Sequence, residues 1–512
     1  MKIKALLSAI LFAGLSQAGA APVDTITVDS VYSEKDGKSI TLPILDFKTK
    51  RYSTELLFDS FNKQSDGSYK GFVTLSPLEP LNDSTTITMD SGFDPVIAAK
   101  LKAFLKKQVN ELHKPGAIIR VDMNGKVWRG VLGKRRINSD ELLNFSDRHR
   151  IGSLTKTFVC STIMQLADKG LLNLDDTVDK YLPDVTIHNK DKITIRDLIA
   201  HRTGLYNYVI DPATLEMNQD LAAHPDKSFH QAVLDHPLRG LQKDLQTDPL
   251  KQYTPNDLLA IANAQPINHE PGAQYKYSNT GLILAGLIIE KITGKPVIQA
   301  VHEKTVNRLG LMRTEFPADP GIQSNYIHGH GDYNNDGKLS SKEIISYLNP
   351  SVSWAAGAMI SNMDDLAKWA KSYVDGDLLV NKKLHQEVLS DCMPSAPDYG
   401  ASYCLGMVKL TWPINTTDPK KWWFGHLGQI SGYDNVVFRN TSKNITVAMT
   451  NNNYFINTPV EEGNGVLIFD LLSIVDPLTS TTSTDTGSSG TTTSTHADLI
   501  RAPLNPEDLG GQ

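Results

Sequence analysis

Segments with strand character flank a long helical middle, and that order constrains the fold more than any other feature of the chain. Near one end, AIIRVDM runs into Asn124-Gly125 and then KVWRGVLG. Asn-Gly readily takes the positive φ angles of a two-residue hairpin turn, so these residues predict a β-hairpin. Far along the chain, YDNVVFRN and NITVAMTN again read as strands, whereas helical patterns dominate from Ser153 to about residue 300. A helical pattern also runs from Pro95 to Leu112, and an amphipathic one covers roughly 459–473. Half-exposed strands at two distant places need a common partner. The pattern therefore predicts an α/β (α+β) architecture in which an antiparallel sheet is flanked by helices and carries a helical subdomain.

The remaining segments divide the 512 residues further. Residues 21–92 hold short strand-like runs (TITVDSVY, ITLPILDF, YKGFVTL) with Asp36-Gly37 and Asp66-Gly67 as turn signals, and read as a small β-rich accessory unit. The main domain is expected over 93–475. Residues 476–512 read as a tail that does not fold, because PLTSTTSTDTGSSGTTTST lacks the large apolar groups needed to offset its ordering entropy. Residues 1–20 carry Lys2 and Lys4, a short apolar run and Ala18-Gly19-Ala20, the pattern of a cleaved signal peptide. Export to the periplasm or the medium is the expectation. No later stretch reads as a membrane span. A formal net charge of -6 offers no broad basic surface and argues against nucleic acid as the partner. In an oxidising compartment Cys392 and Cys404 could close a short loop, leaving Cys160 as a thiol in an apolar helical stretch.

Three short elements bear chemistry. Ser153-Leu154-Thr155-Lys156 stands at the start of an apolar helical run, where Lys156 shares a helical face with Ser153. The partial positive charge of a helix start favours an alkoxide, and a desolvated lysine can help accept the serine proton. A helix N-cap is the structural alternative for Ser153. S-x-x-K also occurs at Ser60–Lys63, where nothing supports catalysis. Tyr277-Ser278-Asn279 offers a phenol whose ionised form a nearby lysine would stabilise, and an amide able to both donate and accept. A turn leading into the apolar helix near Gly281 is the alternative there, and Tyr333, Tyr347 and Tyr433 begin similar triplets. His426-Leu427-Gly428 lies in FGHLGQISGYDNVVF, where a strand edge with a glycine lets backbone lie along an extended substrate. A hydrogen-bonded structural histidine is the alternative.

The ordered blocks RIGSLTKTFVCSTIMQLADKGLLNLDDTVDKYLPD, ITIRDLIAHRTGL, PGAQYKYSNTG, WAAGAMISNMDDLAKWA and GHLGQISGY resemble the β-lactamase-related serine hydrolases over about residues 95–475. That family holds class C β-lactamases, D-alanyl-D-alanine carboxypeptidases, D-amino-acid peptidases and esterases. The resemblance implies Ser153 as the acylated nucleophile, Lys156 as its proton partner and Tyr277 as base, then acid. It implies Asn279, His426 and Gly428 in substrate binding, with the backbone N–H groups of Ser153 and Gln429 as the oxyanion hole. No cofactor is implied. His426 stands where β-lactamases of the family carry lysine, and Leu427 where many relatives have threonine, whose hydroxyl could bind a substrate carboxylate. The expected activity is that of an exported D-alanyl-D-alanine carboxypeptidase or D-peptidase acting on small peptides such as a peptidoglycan stem. A short-chain esterase and a non-catalytic peptide- or wall-binding protein are the alternatives. The oligomeric state is not legible.

Two metal patterns compete. Asp332, Asn334, Asp336, Lys338 and Glu343 fall at ligand positions of the D-x-[DN]-x-[DN]-G-x5-E calcium loop, with Gly337 at its turn. A structural calcium ion is its implication. His328-Gly329-His330-Gly331-Asp332 imitates part of a metallohydrolase string but lacks a following histidine.

Overall fold

The computed structural model describes residues 85–112, 114–137, 139–210, 248–322, 325–331, 346–453 and 464–477, with strand segments between 25 and 77 and isolated positions between 216 and 244. The expected signal peptide, the calcium-loop pattern from Asp332 to Glu343 and the tail beyond residue 477 lie outside the described residues. Two compact units are present, one from the stretch up to Ser84 with residues 138–142, the other from Thr85–Ile137 and from Leu143 onward.

The smaller unit contains β1 (Thr25–Val31), β2 (Asp46–Phe47), β3 (Lys50–Leu56), β4 (Asn62–Lys63) and β5 (Tyr69–Pro77). They form an antiparallel sheet in the order β1-β5-β3-β2, with β4 also on β5.

The larger unit is built on nine antiparallel strands: β6 (Thr86–Met89), β7 (Gly116–Met123), β8 (Lys126–Gly133), β11 (Met393–Ala396), β12 (Ala401–Tyr403), β13 (Val408–Thr411), β14 (Trp422–Ile430), β15 (Tyr433–Asn440) and β16 (Ile445–Asn451). A separate two-stranded pair is formed by β9 (His149–Arg150) and β10 (Ile360–Ser361). The sheet order is β11-β12-β13-β14-β15-β16-β7-β8-β6. Strands from before and after the helical middle meet where β16 pairs with β7, from Ile445 opposite Met123 to Asn451 opposite Ala117. The predicted hairpin is present: Asn124 and Gly125 take φ 51 and 79, the two positive values that match a tight turn to strand twist. β6 extends the same sheet by pairing with β8.

Every residue of β15 and β16 is buried, because helices cover both faces of the sheet centre. On one side Leu101 and Leu105 of the helix Pro95–Asn110 join Leu467, Leu471 and Leu472 of the helix Asn464–Val475. On the other, the helix Met363–Val374 packs on β15, β16 and β7. Its core continues through the helices Thr155–Asp168 and Asn279–Thr293. The last helix is described over Asn464–Val475, and two further helices, Met363–Val374 and Lys382–Ser390, precede the return to strands. Cys392 and Cys404 are bonded, and Cys160 is a buried free thiol whose pKa burial raises to about 12.

Three fully buried histidines are expected to make this fold acid-sensitive. Burial holds His149 and His330 at about 4 and His426 at about 3, against 6.5 for a free imidazole. Below pH 6.5 the unfolded chain therefore binds more protons than the folded one. The stability linked to these neutral rings is complete above 6.5 and is lost as pH falls toward 4 and 3, by up to about 1.4 kcal/mol per pH unit for each ring. Melting temperature is expected to drop steadily between pH 6.5 and 4.5. A flat profile across that window would show that the rings do not titrate on unfolding.

Candidate active site

Ser153 sits in a single 3-10 turn, Gly152–Leu154, immediately before the helix Thr155–Asp168. The N-cap positions of the turn and of the helix are Ile151 and Leu154, which removes the N-cap alternative for Ser153. Instead Oγ lies 2.8 Å from the Tyr277 hydroxyl and accepts from Lys156 Nζ at 2.8 Å. Lys156 also donates to the Ala356 carbonyl at 2.6 Å, and its ammonium stands 5.0 Å from the centre of the Tyr277 ring. Ser153 and Lys156 are wholly buried and Tyr277 is 2% exposed. Three groups separated by up to 124 positions thus share one dry contact.

Backbone features hold them there. The segment Trp354–Gly357 supplies the Ala356 carbonyl, and Met359 just beyond it accepts from Ile151 N while donating to Thr155 Oγ1. Asn435 Nδ2 donates to the carbonyls of both Arg150 and Gly428, tying the strand before Ser153 to β14. Two glycines permit that approach. A Cβ at Gly428 would stand 2.0 Å from the Ile151 carbonyl oxygen, and one at Gly152, where φ is +51, 2.4 Å from the Gln429 carbonyl oxygen. Gln429 backbone is thereby placed beside the Ser153 turn. β13 pairs with β14 only as far as Gly425, so among the described strands none continues along that edge of β14 from His426 onward.

Tyr277 precedes Ser278, whose extended backbone (φ -150, ψ 121) opens the helix Asn279–Thr293 two residues earlier than the sequence suggests. The Asn279 amide group and backbone N–H both donate to Asn207 Oδ1, at 3.0 and 3.1 Å, which fixes the orientation of the Asn279 side chain. His426 is fully buried, with Nε2 2.8 Å from the Tyr403 hydroxyl and Nδ1 against the Leu427 carbonyl. Burial first, with the Lys156 charge also lowering it, keeps this ring neutral down to about pH 3. Leu427 is buried in the same hydrophobic cluster as Tyr277, Trp423 and Val436. Asn207, Tyr403, Asn435 and the Ala356 carbonyl carry no sequence signature of their own. Ala356 lies in a block that the resemblance singles out, but its contribution is a backbone oxygen.

The His-x-His string is structural. His330 Nε2 accepts from Ile137 N, and its Nδ1 lies 3.0 Å from the Asn452 carbonyl, while His328 meets Ser346. Among the described residues no group of three or more His, Cys, Asp or Glu is placed to hold a metal ion, and no helix is long and apolar enough to cross a membrane.

A hydroxyl bracketed by an amine and a phenol at a helix start, against a strand of an antiparallel sheet, is the arrangement of serine hydrolases with an activated nucleophile. The β-lactamase family model matches residues 101–466, and the chain belongs to that family of serine hydrolases. Similar solved structures include the D-stereospecific amidohydrolase of Streptomyces sp., 28% identical with TM-score 0.56, covering 69% of this chain and 94% of that one. The D-amino acid amidase of Ochrobactrum anthropi SV3 in complex with L-phenylalanine amide shares the fold at 20% identity, TM-score 0.58, covering 74% of this chain and 98% of that one. Protein flp of Staphylococcus aureus strain MW2 is 25% identical over 281 residues, 53% of this chain and 48% of flp. The chain spans about half the length of the curated relatives it matches.

Proposed function

We propose that the protein is an exported hydrolase that forms a Ser153 acyl-enzyme on D-amino-acid amides, D-peptides and short esters whose leaving side carries no carboxylate. The contacts around Ser153 support the following pathway. Tyr277, as the phenolate, takes the Ser153 proton as Oγ attacks the substrate carbonyl, while the Lys156 ammonium on the same Oγ stabilises the phenolate charge. The backbone N–H groups of Ser153 and Gln429 receive the oxyanion. Tyr277 then returns its proton to the departing amine or alcohol, and water repeats the cycle on the acyl group. Asn279 binds the acyl-side amide. Gly428 allows the substrate backbone to lie along the β14 edge, and His426 is the first residue of that edge beyond the β13 pairing. The similarity to a D-stereospecific amidohydrolase at 28% identity supports a D-amide substrate class.

The neutral His426 carries the choice of leaving group. A carboxylate there would meet a buried uncharged imidazole whose two nitrogens already have partners, and the hydrocarbon of Leu427. A charge-assisted hydrogen bond is worth about 1.5–3 kcal/mol, so its lack corresponds to roughly a 10- to 100-fold preference against such substrates. A panel of p-nitrophenyl butyrate, D-phenylalanine amide, a D-Ala-D-Ala peptide, its C-terminal amide and nitrocefin tests this. The ester and both amides are expected to turn over, with the free D-Ala-D-Ala acid at least about 10-fold slower than its amide and nitrocefin poor. A free acid that outperforms its amide would instead support a carboxypeptidase acting on peptidoglycan stem peptides. Binding without any turnover would support the non-catalytic alternative. For localisation, the Cys392–Cys404 bond and the pattern of residues 1–20 both support an oxidising, extracytoplasmic compartment.

A further inference from the structure

His201 contacts the Tyr277 segment at three points, none of which belongs to the proton path. It follows the helix Ile195–Ile199 in the stretch IAHRTGL and takes φ +54, a left-handed backbone that is unusual for a residue with a side chain. Its carbonyl accepts from the Lys276 N–H at 2.9 Å. Its Nδ1 lies 3.3 Å from Ser278 N and 3.2 Å from Ser278 O, so either tautomer ties to the residue after Tyr277. Between those two anchors the imidazole lies on the Tyr277 ring itself, with centroids 4.2 Å apart and planes inclined by 37°. Tyr403, the partner of His426, packs against the same imidazole at 4.6 Å.

His201 also concentrates local penalties. Besides its backbone conformation, it is 1% exposed and its Nε2 has no hydrogen-bond partner among the described residues. Burial first, then the charge of Lys156 and the neighbouring His426, push its pKa well below the usual value, so the ring is neutral. A neutral ring backs the phenol without placing a second positive charge against it.

We propose that His201 is a positioning residue, which holds the Tyr277 hydroxyl on Ser153 by tying down both neighbours of Tyr277 and backing its ring. The proposal rests on Ser153 acylation with Tyr277 as proton carrier. A catalytic group displaced by about 1 Å can lose about 10²-fold in rate without weakening substrate binding.

His201→Asn and His201→Ala separate this role from a structural one. Asparagine tolerates the left-handed backbone and sets an oxygen near the position of Nδ1, so it keeps the Ser278 tie and loses only the ring. Alanine loses both. Active sites are counted by fluorophosphonate titration, and p-nitrophenyl butyrate turnover is measured per titrated site. The asparagine variant is expected to lose about 10-fold in kcat and the alanine variant about 100-fold, with KM within about 3-fold of wild type. Unchanged per-site kcat in both variants overturns the proposal, including the case where only the melting temperature or the number of titratable sites falls. Wild-type protein that does not label overturns the acyl-enzyme reading and this one with it, whereas labelled wild type with fully active variants removes the role of His201 alone.

Discussion

Replacing Ser153 by alanine is expected to abolish fluorophosphonate labelling and to lower kcat/KM for p-nitrophenyl butyrate by about 10⁴-fold or more. At about 1.4 kcal/mol per tenfold, that loss corresponds to roughly 5.5 kcal/mol of barrier, more than a lost binding contact explains. The fold should not suffer. Ser153 occupies no helix-cap position, and among the described residues its oxygen meets Lys156 Nζ and the Tyr277 hydroxyl. Lys156 keeps the Ala356 carbonyl after the change. Circular dichroism and the melting midpoint should therefore match wild type within a few degrees. A variant that labels as before, or that retains most of its turnover, would remove Ser153 from the chemistry and the acyl-enzyme reading with it.

The ease with which Ser153, Lys156 and Tyr277 are found in the sequence has a physical basis. Each makes its contact through its own side chain, so residue type and spacing report it directly, and the helix start fixes the Ser153–Lys156 separation. The sheet is similarly legible, since the Asn124-Gly125 turn and the period of the flanking strands need no distant partner to be recognised. His426 illustrates a half-legible position. Its place is marked by His-x-Gly, but its neutrality arises from enclosure and from Tyr403, which the sequence does not connect with it. Asn435, Asn207 and His201 are less legible still. Each bonds a backbone atom of a residue 72 to 285 positions away, and a carbonyl or N–H has no residue identity to read. Helix boundaries fail for a related reason. The helix Asn279–Thr293 starts at Asn279 because Asn207 receives its first N–H, a tertiary contact that local propensity does not include.

The second large effect concerns Tyr277 and Lys156 as a pair. Tyr277→Phe removes one oxygen and leaves the ring on His201, so packing is retained while Ser153 loses the atom 2.8 Å from its Oγ. Lys156→Met keeps a similar unbranched stem and removes the ammonium that bonds both Ser153 Oγ and Ala356 O. Each change is expected to lower kcat by about 10²–10⁴-fold with little change in KM, the range over which a positioned proton-transfer group acts. Their combination distinguishes a relay from two separate aids. If the phenol accepts the serine proton only because the ammonium supports its anion, loss of either partner disables the same step. The double variant should then lie within about 10-fold of the slower single variant. Independent contributions would instead multiply, giving a double variant slower than either single one by the full factor of the other. Pre-steady-state acylation rates, measured per titrated site at one pH, decide between the two. Multiplicative losses would mean that amine and phenol serve different steps, and the shared contact at Ser153 would have to be divided between attack and leaving-group departure.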